Sequence, residues 1–179
     1  MPAAARRPGS RATPPASHHP DLEHALGLAY RYLGRRERSV AELRAHLESR
    51  QVAVEEADQV IVILIDQGYL DDRRFAQLFV QDKRELEQWG DERIRRGLSG
   101  RGIDLDLIER ALSEPGGEGA QVGRALALLR RRMPDPEAGR RSRERALGLL
   151  LRRGYEYEIA DEAVRAHLSQ LAPGGRITG

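Results

Sequence analysis

Cysteine is missing from all 179 residues, which removes disulfides and thiolate chemistry and points to a reducing compartment. Aromatics are scarce. One Trp, five Tyr and two Phe are thin support for a platform that stacks bases. Long apolar runs are also lacking: the longest, Val60 to Ile65, is far short of the ~20 residues a membrane helix needs. Arg6 and Arg7 have no apolar h-region behind them, so no secretory signal is read there. A cytoplasmic protein with no membrane contact is expected. Lysine occurs once, as Lys83, and every other one of the 30 basic residues is arginine. A GC-rich genome accounts for that choice of residue, although not for where the arginines cluster.

What is present is a repeat. Leu43, Leu47 and Val52 are spaced as Ile94, Leu98 and Ile103 are, and as Ala146, Leu150 and Tyr155 are. Corresponding members recur every 51 or 52 positions. A fixed period near fifty residues means one structural unit used three times. Stacked units make an extended surface rather than a closed cleft.

The periodicity inside each unit is helical. Leu22, Leu26, Ala29 and Leu33 share one helix face, and Ser39-Val40-Ala41-Glu42 reads as a capping box ahead of Leu43 and Leu47. Ala57, Ile61, Leu64 and Ile65 make a third face. The run from Val60 to Ile65 also suits a buried strand, but its acidic lead-in and the amphipathic Leu107, Ile108, Ala111 and Leu112 in the next unit favour helix. In that second unit Phe75, Leu78 and Phe79 are expected on the core face. The fold class is therefore all-α: three tandem three-helix repeats in an elongated molecule that curves if successive units tilt. The expected divisions are a disordered arm at 1–20, repeats at 21–70 and 71–114, a linker at 115–122, a third repeat at 123–171, and a flexible tail at 172–179.

Catalytic chemistry finds no foothold, and no cofactor or metal is expected. Adjacent Asp71 and Asp72 do not face each other on a helix and suit capping instead. His18, His19, His24, His46 and His167 lack metal-site spacing; two fall in the arm, and the rest suit a surface or rim. Gly100-Arg101-Gly102 reads as a helix end and turn. Trp89, Tyr69 and Tyr155 read as wedges between units.

The net charge of +2 hides polarity: from Arg124 to Arg153 there are ten basic residues against three acidic ones. Arg130, Arg131, Arg132, Arg140, Arg141, Arg143, Arg145, Arg152 and Arg153 form a candidate surface for phosphate or an acidic partner. Arg93, Arg95 and Arg96, among abundant acids, suit a solvated face.

Gly68-Tyr69-Leu70-Asp71-Asp72, with Phe75-Ala76, Trp89-Gly90 and Arg93-Ile94, resembles the RecX family of regulators of the RecA recombinase. Ser39 with Glu42-Leu43, and Arg152-Arg153-Gly154-Tyr155, support that resemblance, which runs from about Leu22 to Leu168. It implies a monomeric, non-enzymatic, cytoplasmic protein that binds the RecA nucleoprotein filament. It further implies modulation, mostly inhibition, of filament activity in recombination, DNA repair and the SOS response, with at most weak direct DNA contact. The motif residues read mainly as architectural. A direct nucleic-acid-binding module of helix-turn-helix type and a passive helical scaffold stay open as alternatives.

Overall fold

The apolar periodicity becomes nine helices and no strand among the residues described by the computed structural model, which are 20–113, 117–135 and 139–169. The first unit contains α1 (Pro20–Leu33), α2 (Val40–Ser49) and α3 (Val54–Asp66). The second contains α4 (Asp72–Glu85), α5 (Asp91–Ser99) and α6 (Leu105–Ser113). The third contains α7 (Gly117–Arg132), α8 (Arg140–Arg152) and α9 (Tyr157–Ser169). Arms at 1–19 and 170–179, including the expected tail, lie outside the described residues.

Three separate cores follow from the repeat. Leu43, Leu47 and Leu64 centre the first, Ile94, Leu98 and Ile108 the second, and Leu128, Leu129 and Leu150 the third. All nine are fully buried. The Val60–Ile65 run is helical because Ala57, Val60, Ile61 and Leu64 meet the core at helical spacing, while Val62 and Ile65 point outward. A strand would have put Val60, Val62 and Leu64 on one face.

Successive units join through the same two elements each time: the start of the middle helix in one unit and the turn after the middle helix in the next. At the first junction the Ser39 hydroxyl accepts the Glu42 amide at 3.1 Å, completing the capping box, and donates to the Arg101 carbonyl at 2.7 Å. At the second, Gly90 stands 51 positions on from Ser39, and its amide donates to the Arg153 carbonyl at 2.9 Å. The Glu92 amide adds a bond to the Gly154 carbonyl at 3.2 Å.

Glycine is obligatory here for space as well as for φ. A Cβ on Gly102 would lie 2.4 Å from the Ala41 Cβ, and one on Gly154 would lie 2.3 Å from the Arg93 Cβ. Both adopt positive φ, 71° and 85°. Gln51, the equivalent residue of the first unit, also has positive φ (62°) but meets no earlier unit among the described residues, so a side chain fits there. Asp91, 6 % exposed, closes the second junction by accepting from Arg84 of α4 at 2.8 Å and Arg124 of α7 at 3.4 Å. Burial lowers the Arg124 pKa, and Asp91 opposes that effect.

Several expectations are corrected. Leu78 and Ile65 are exposed, because the buried arc of α4 runs through Phe75, Ala76 and Val80 and that of α3 through Val60, Ile61 and Leu64. Tyr69 is also exposed and packs edge-on against Tyr30 instead of wedging between units. Tyr155 does wedge: it is 2 % exposed, and its hydroxyl lies 3.3 Å from the Gln88 carbonyl of the second unit. His167 is buried rather than at a rim, since packing of α9 on α7 brings its Nε2 to 3.0 Å from the Met133 carbonyl. Helix α7 starts at Gly117, inside the segment read as a linker, because Val122 packs onto the third core. Asp71 caps α4 by accepting the Arg74 amide at 2.9 Å, whereas Asp72 reaches back across the first junction to the Val40 amide of α2 at 2.9 Å.

Glycine substitutions test the junction. A Cβ on Gly90 would lie 2.3 Å from the Gly154 carbonyl carbon, which is backbone and cannot rotate away. Gly90→Ala should therefore destabilise by about 1–3 kcal/mol in urea unfolding. Gly123→Ala, in open space on α7, should be neutral or stabilise by up to about 1 kcal/mol.

Candidate interaction surface

Helix α8 presents Arg141, Arg145, Gly148 and Arg152 at spacings of four, three and four residues, which is one helical face. Arg141, Arg145 and Arg152 are exposed, and none forms an ion pair among the described residues. Gly148 leaves room for the returning Arg152 side chain, whose guanidinium would lie 3.1 Å from a Cβ there.

The stripe continues across the second junction onto α5. Trp89, Arg93, Arg96, Gly97 and Arg152 line a shallow depression of about 400 Å³. The Arg93 guanidinium lies 4.1 Å from the Trp89 ring centroid and donates to the Arg152 carbonyl at 3.4 Å. Among the described residues Arg96 bonds only a backbone carbonyl, that of Glu92, at 3.3 Å. Gly97 lets α5 approach Phe79, whose ring would lie 3.1 Å from a Cβ at that position. Three guanidinium groups that form no close ion pair among the described residues thus surround one indole, and they come from two units. The Lys83 ammonium lies 4.8 Å from the same ring centroid. It also hydrogen-bonds Glu87, and that bond chiefly holds the Glu87 carboxyl below its ordinary range.

Other predicted arginines are committed elsewhere. Arg143 donates to Asp161 at 2.6 Å, and Arg140 pairs with Glu144 at 2.7 Å. Arg153 turns inward to the Glu87 carbonyl at 2.8 Å, spanning the second junction. Arg130, Arg131 and Arg132 are exposed at the end of α7 and do not line the α5–α8 depression. In the second unit Arg95 is neutralised by Glu92 and Glu109, as a solvated face requires, whereas Arg93 and Arg96 form no close ion pair among the described residues, and Arg93 feels Glu87 only at longer range. Their missing partners could not be found by counting neighbouring acids, because Glu92 is drawn to Arg95.

Of the motif residues, Leu70, Phe75, Ala76 and Ile94 are buried in the cores. Gly68 turns the chain at φ 75°, Gly90 forms the junction, and Trp89 and Arg93 reach the surface depression. Among the described residues no helix is long and apolar enough to cross a membrane.

Three small helical cores, joined by a repeating backbone contact and carrying an open basic face, define an all-helical repeat protein. Two family models match: "RecX, first three-helix domain" over residues 25–62, and "RecX, second three-helix domain" over residues 71–112. The "Regulatory protein RecX" of Trichlorobacter lovleyi is 36 % identical over 134 residues, covering 73 % of this chain and 87 % of that protein. That of Mycobacterium marinum is 34 % identical over 160 residues, covering 87 % and 92 %. The crystal structure of RecX from Lactobacillus salivarius superposes with a TM-score of 0.74 at 24 % identity, covering 83 % of this chain and 97 % of that one, and so shares the fold. The chain belongs to the RecX family, and that membership supports a regulatory role.

The Arg143–Asp161–Arg165 cluster on α8 and α9 gives a pH test. Hydrogen bonds, first from Arg143 and then from Arg165, hold the Asp161 carboxyl below its ordinary 3.8. A depressed folded pKa stabilises above the unfolded value, and that contribution is lost as pH falls through the folded one. Asp161→Asn should therefore lower the urea midpoint at neutral pH. The gap from wild type should close as pH is taken below about 4.

Proposed function

We propose that this chain binds the RecA nucleoprotein filament and lowers its recombinase and ATPase activities, acting in recombinational repair and the SOS response. The observation that carries the reading is the unpaired basic stripe of α8 running onto α5 at the junction of two units. Family membership supports the regulatory role, and the resemblance of Gly68–Ala76 with Trp89–Ile94 supplies RecA as the partner. A basic, pre-organised face meets acidic protein or phosphate without ordering a loop on binding. The protein acts as a monomer in the cytoplasm and needs no catalytic residue or cofactor. A second reading, direct binding to single-stranded DNA, draws on the same stripe.

Titrating the protein onto assembled filaments should lower DNA-dependent ATP hydrolysis and quench the fluorescence of Trp89, the sole tryptophan, as the depression fills. Unchanged ATPase together with tight binding to naked DNA would favour the second reading. The triple exchange of Arg141, Arg145 and Arg152 to Glu should weaken filament binding by about tenfold or more, with a steeper loss as salt rises. The same exchange at Arg44, Arg50 and Arg110 should cost much less, because Arg44 pairs with Asp58 and Arg110 with Asp106. Equal losses from the two sets would remove the basic stripe from the contact.

A further inference from the structure

The third helix of every unit begins with a large apolar residue exposed to solvent. Val54 opens α3, Leu105 opens α6 and Tyr157 opens α9, at spacings of 51 and 52 residues. They are 58 %, 64 % and 53 % exposed, and none belongs to a hydrophobic core. The preceding apolar residues, Val52, Ile103 and Tyr155, do pack inward. Burial of the helix start is therefore already provided for two positions earlier in each staple-like pair. The fold has no use for an apolar side chain at the first helical position, where acids or proline are favoured.

Single exposed apolar residues are ordinary. Three in the same register are not scattered, because the units carrying them are joined by equivalent contacts. Ser39 to Arg101 at the first junction corresponds to Gly90 to Arg153 at the second. Equivalent positions therefore progress along the molecule by a nearly repeated step.

Charge narrows the occupant. Each apolar residue is flanked along the chain by acids: Glu55 and Glu56 beside Val54, Asp104 and Asp106 beside Leu105, and Glu156 and Glu158 beside Tyr157, where Arg143, paired with Asp161, is also near. Favourable interaction with the helix dipole accounts for the acids but not for the apolar side chain among them. An acid-rimmed apolar knob repels phosphate and suits an apolar hollow rimmed by basic side chains. A knob repeated at one step suits a partner whose hollows also repeat.

We infer that Val54, Leu105 and Tyr157 form a periodic docking ridge for the protein protomers of a polymer of identical subunits, one knob to each hollow. This rests on the reading of the filament as partner and assigns it a second contact, chemically opposite to the basic stripe. The stripe meets acidic or phosphate groups, while the ridge meets basic-rimmed apolar protein. Linked weak sites multiply: each bound knob raises the effective concentration of the next.

The test is a stepwise series, Leu105→Gln, then Val54→Gln added, then Tyr157→Gln added, in the full chain. The control is Leu86→Gln with Leu151→Gln, two exposed apolar residues outside the register (74 % and 41 %). Helicity and urea midpoints confirm that each variant is folded. Binding is measured to assembled RecA filaments and, separately, to naked single-stranded DNA. Each ridge substitution should weaken filament binding about fivefold to tenfold, and the triple variant by more than about a hundredfold. The control should change less than about threefold, and DNA binding should be unaltered. Wild-type binding to filament that survives intact in the triple variant overturns the ridge and leaves the proposed function standing. Failure of the wild-type chain to bind filament overturns both. Loss of naked-DNA binding in parallel with filament binding makes the ridge a nucleic-acid surface and overturns its assignment to protein protomers.

Discussion

Close approach of one unit's backbone to the next is the constraint on which the structure depends. At the second junction Gly90, Gly154 and Arg93 come so near that a single added carbon would meet backbone or Cβ atoms at 2.3 Å. Such contact lets amides and carbonyls of different units pair directly, Gly90 with Arg153 and Glu92 with Gly154. Backbone pairing is stiffer than side-chain packing, because neither partner has rotamers to explore. Three cores too small to be robust singly are thereby held in a defined relation.

That relation decides which arginines belong to the fold and which remain available. Arg84 and Arg124 satisfy buried Asp91, Arg143 and Arg165 satisfy Asp161, and Arg153 reaches the Glu87 carbonyl. These are architectural, and each would leave a buried acceptor poorly paired if removed. Arg93, Arg96, Arg141, Arg145 and Arg152 form no close ion pair among the described residues and lie on one stretch of surface. A composition that counts all of them alike conceals this division.

The repeat also carries a chemistry that changes sides. Where the first unit sets Arg38 over Tyr32 at 4.2 Å, the second sets Lys83 over Trp89 at 4.8 Å, with cation and ring exchanged between equivalent positions 51 residues apart. The attraction between ring face and cation holds the end of the first helix to the start of the second either way round. In the second unit the exchange leaves an indole where basic side chains of two units converge. The repeat thus combines near-identical geometry along its length with one unit boundary that differs in charge.

Much was legible in the chain itself. The 51- and 52-residue recurrence, the helical spacing of Leu43, Leu47 and their equivalents, and the Ser39–Glu42 capping box are local patterns, and local sterics and hydrogen bonding enforce them. The excess of base between Arg124 and Arg153 was equally plain. Tertiary structure alone decided the rest, for a common reason: each outcome depends on a partner in another unit, 32 residues away for Asp72 and Val40, or on how a helix is rotated and its side chains turn. Asp72 caps a helix of the preceding unit, Leu78 falls just outside the buried arc of α4, and Glu92 chooses Arg95 over its neighbours. Gly102 and Gly154 are required because another unit's Cβ occupies the space theirs would fill. Sequence determined the unit and its number, since those follow from periodicity; the surface was decided by packing, since only packing determines which charges find partners.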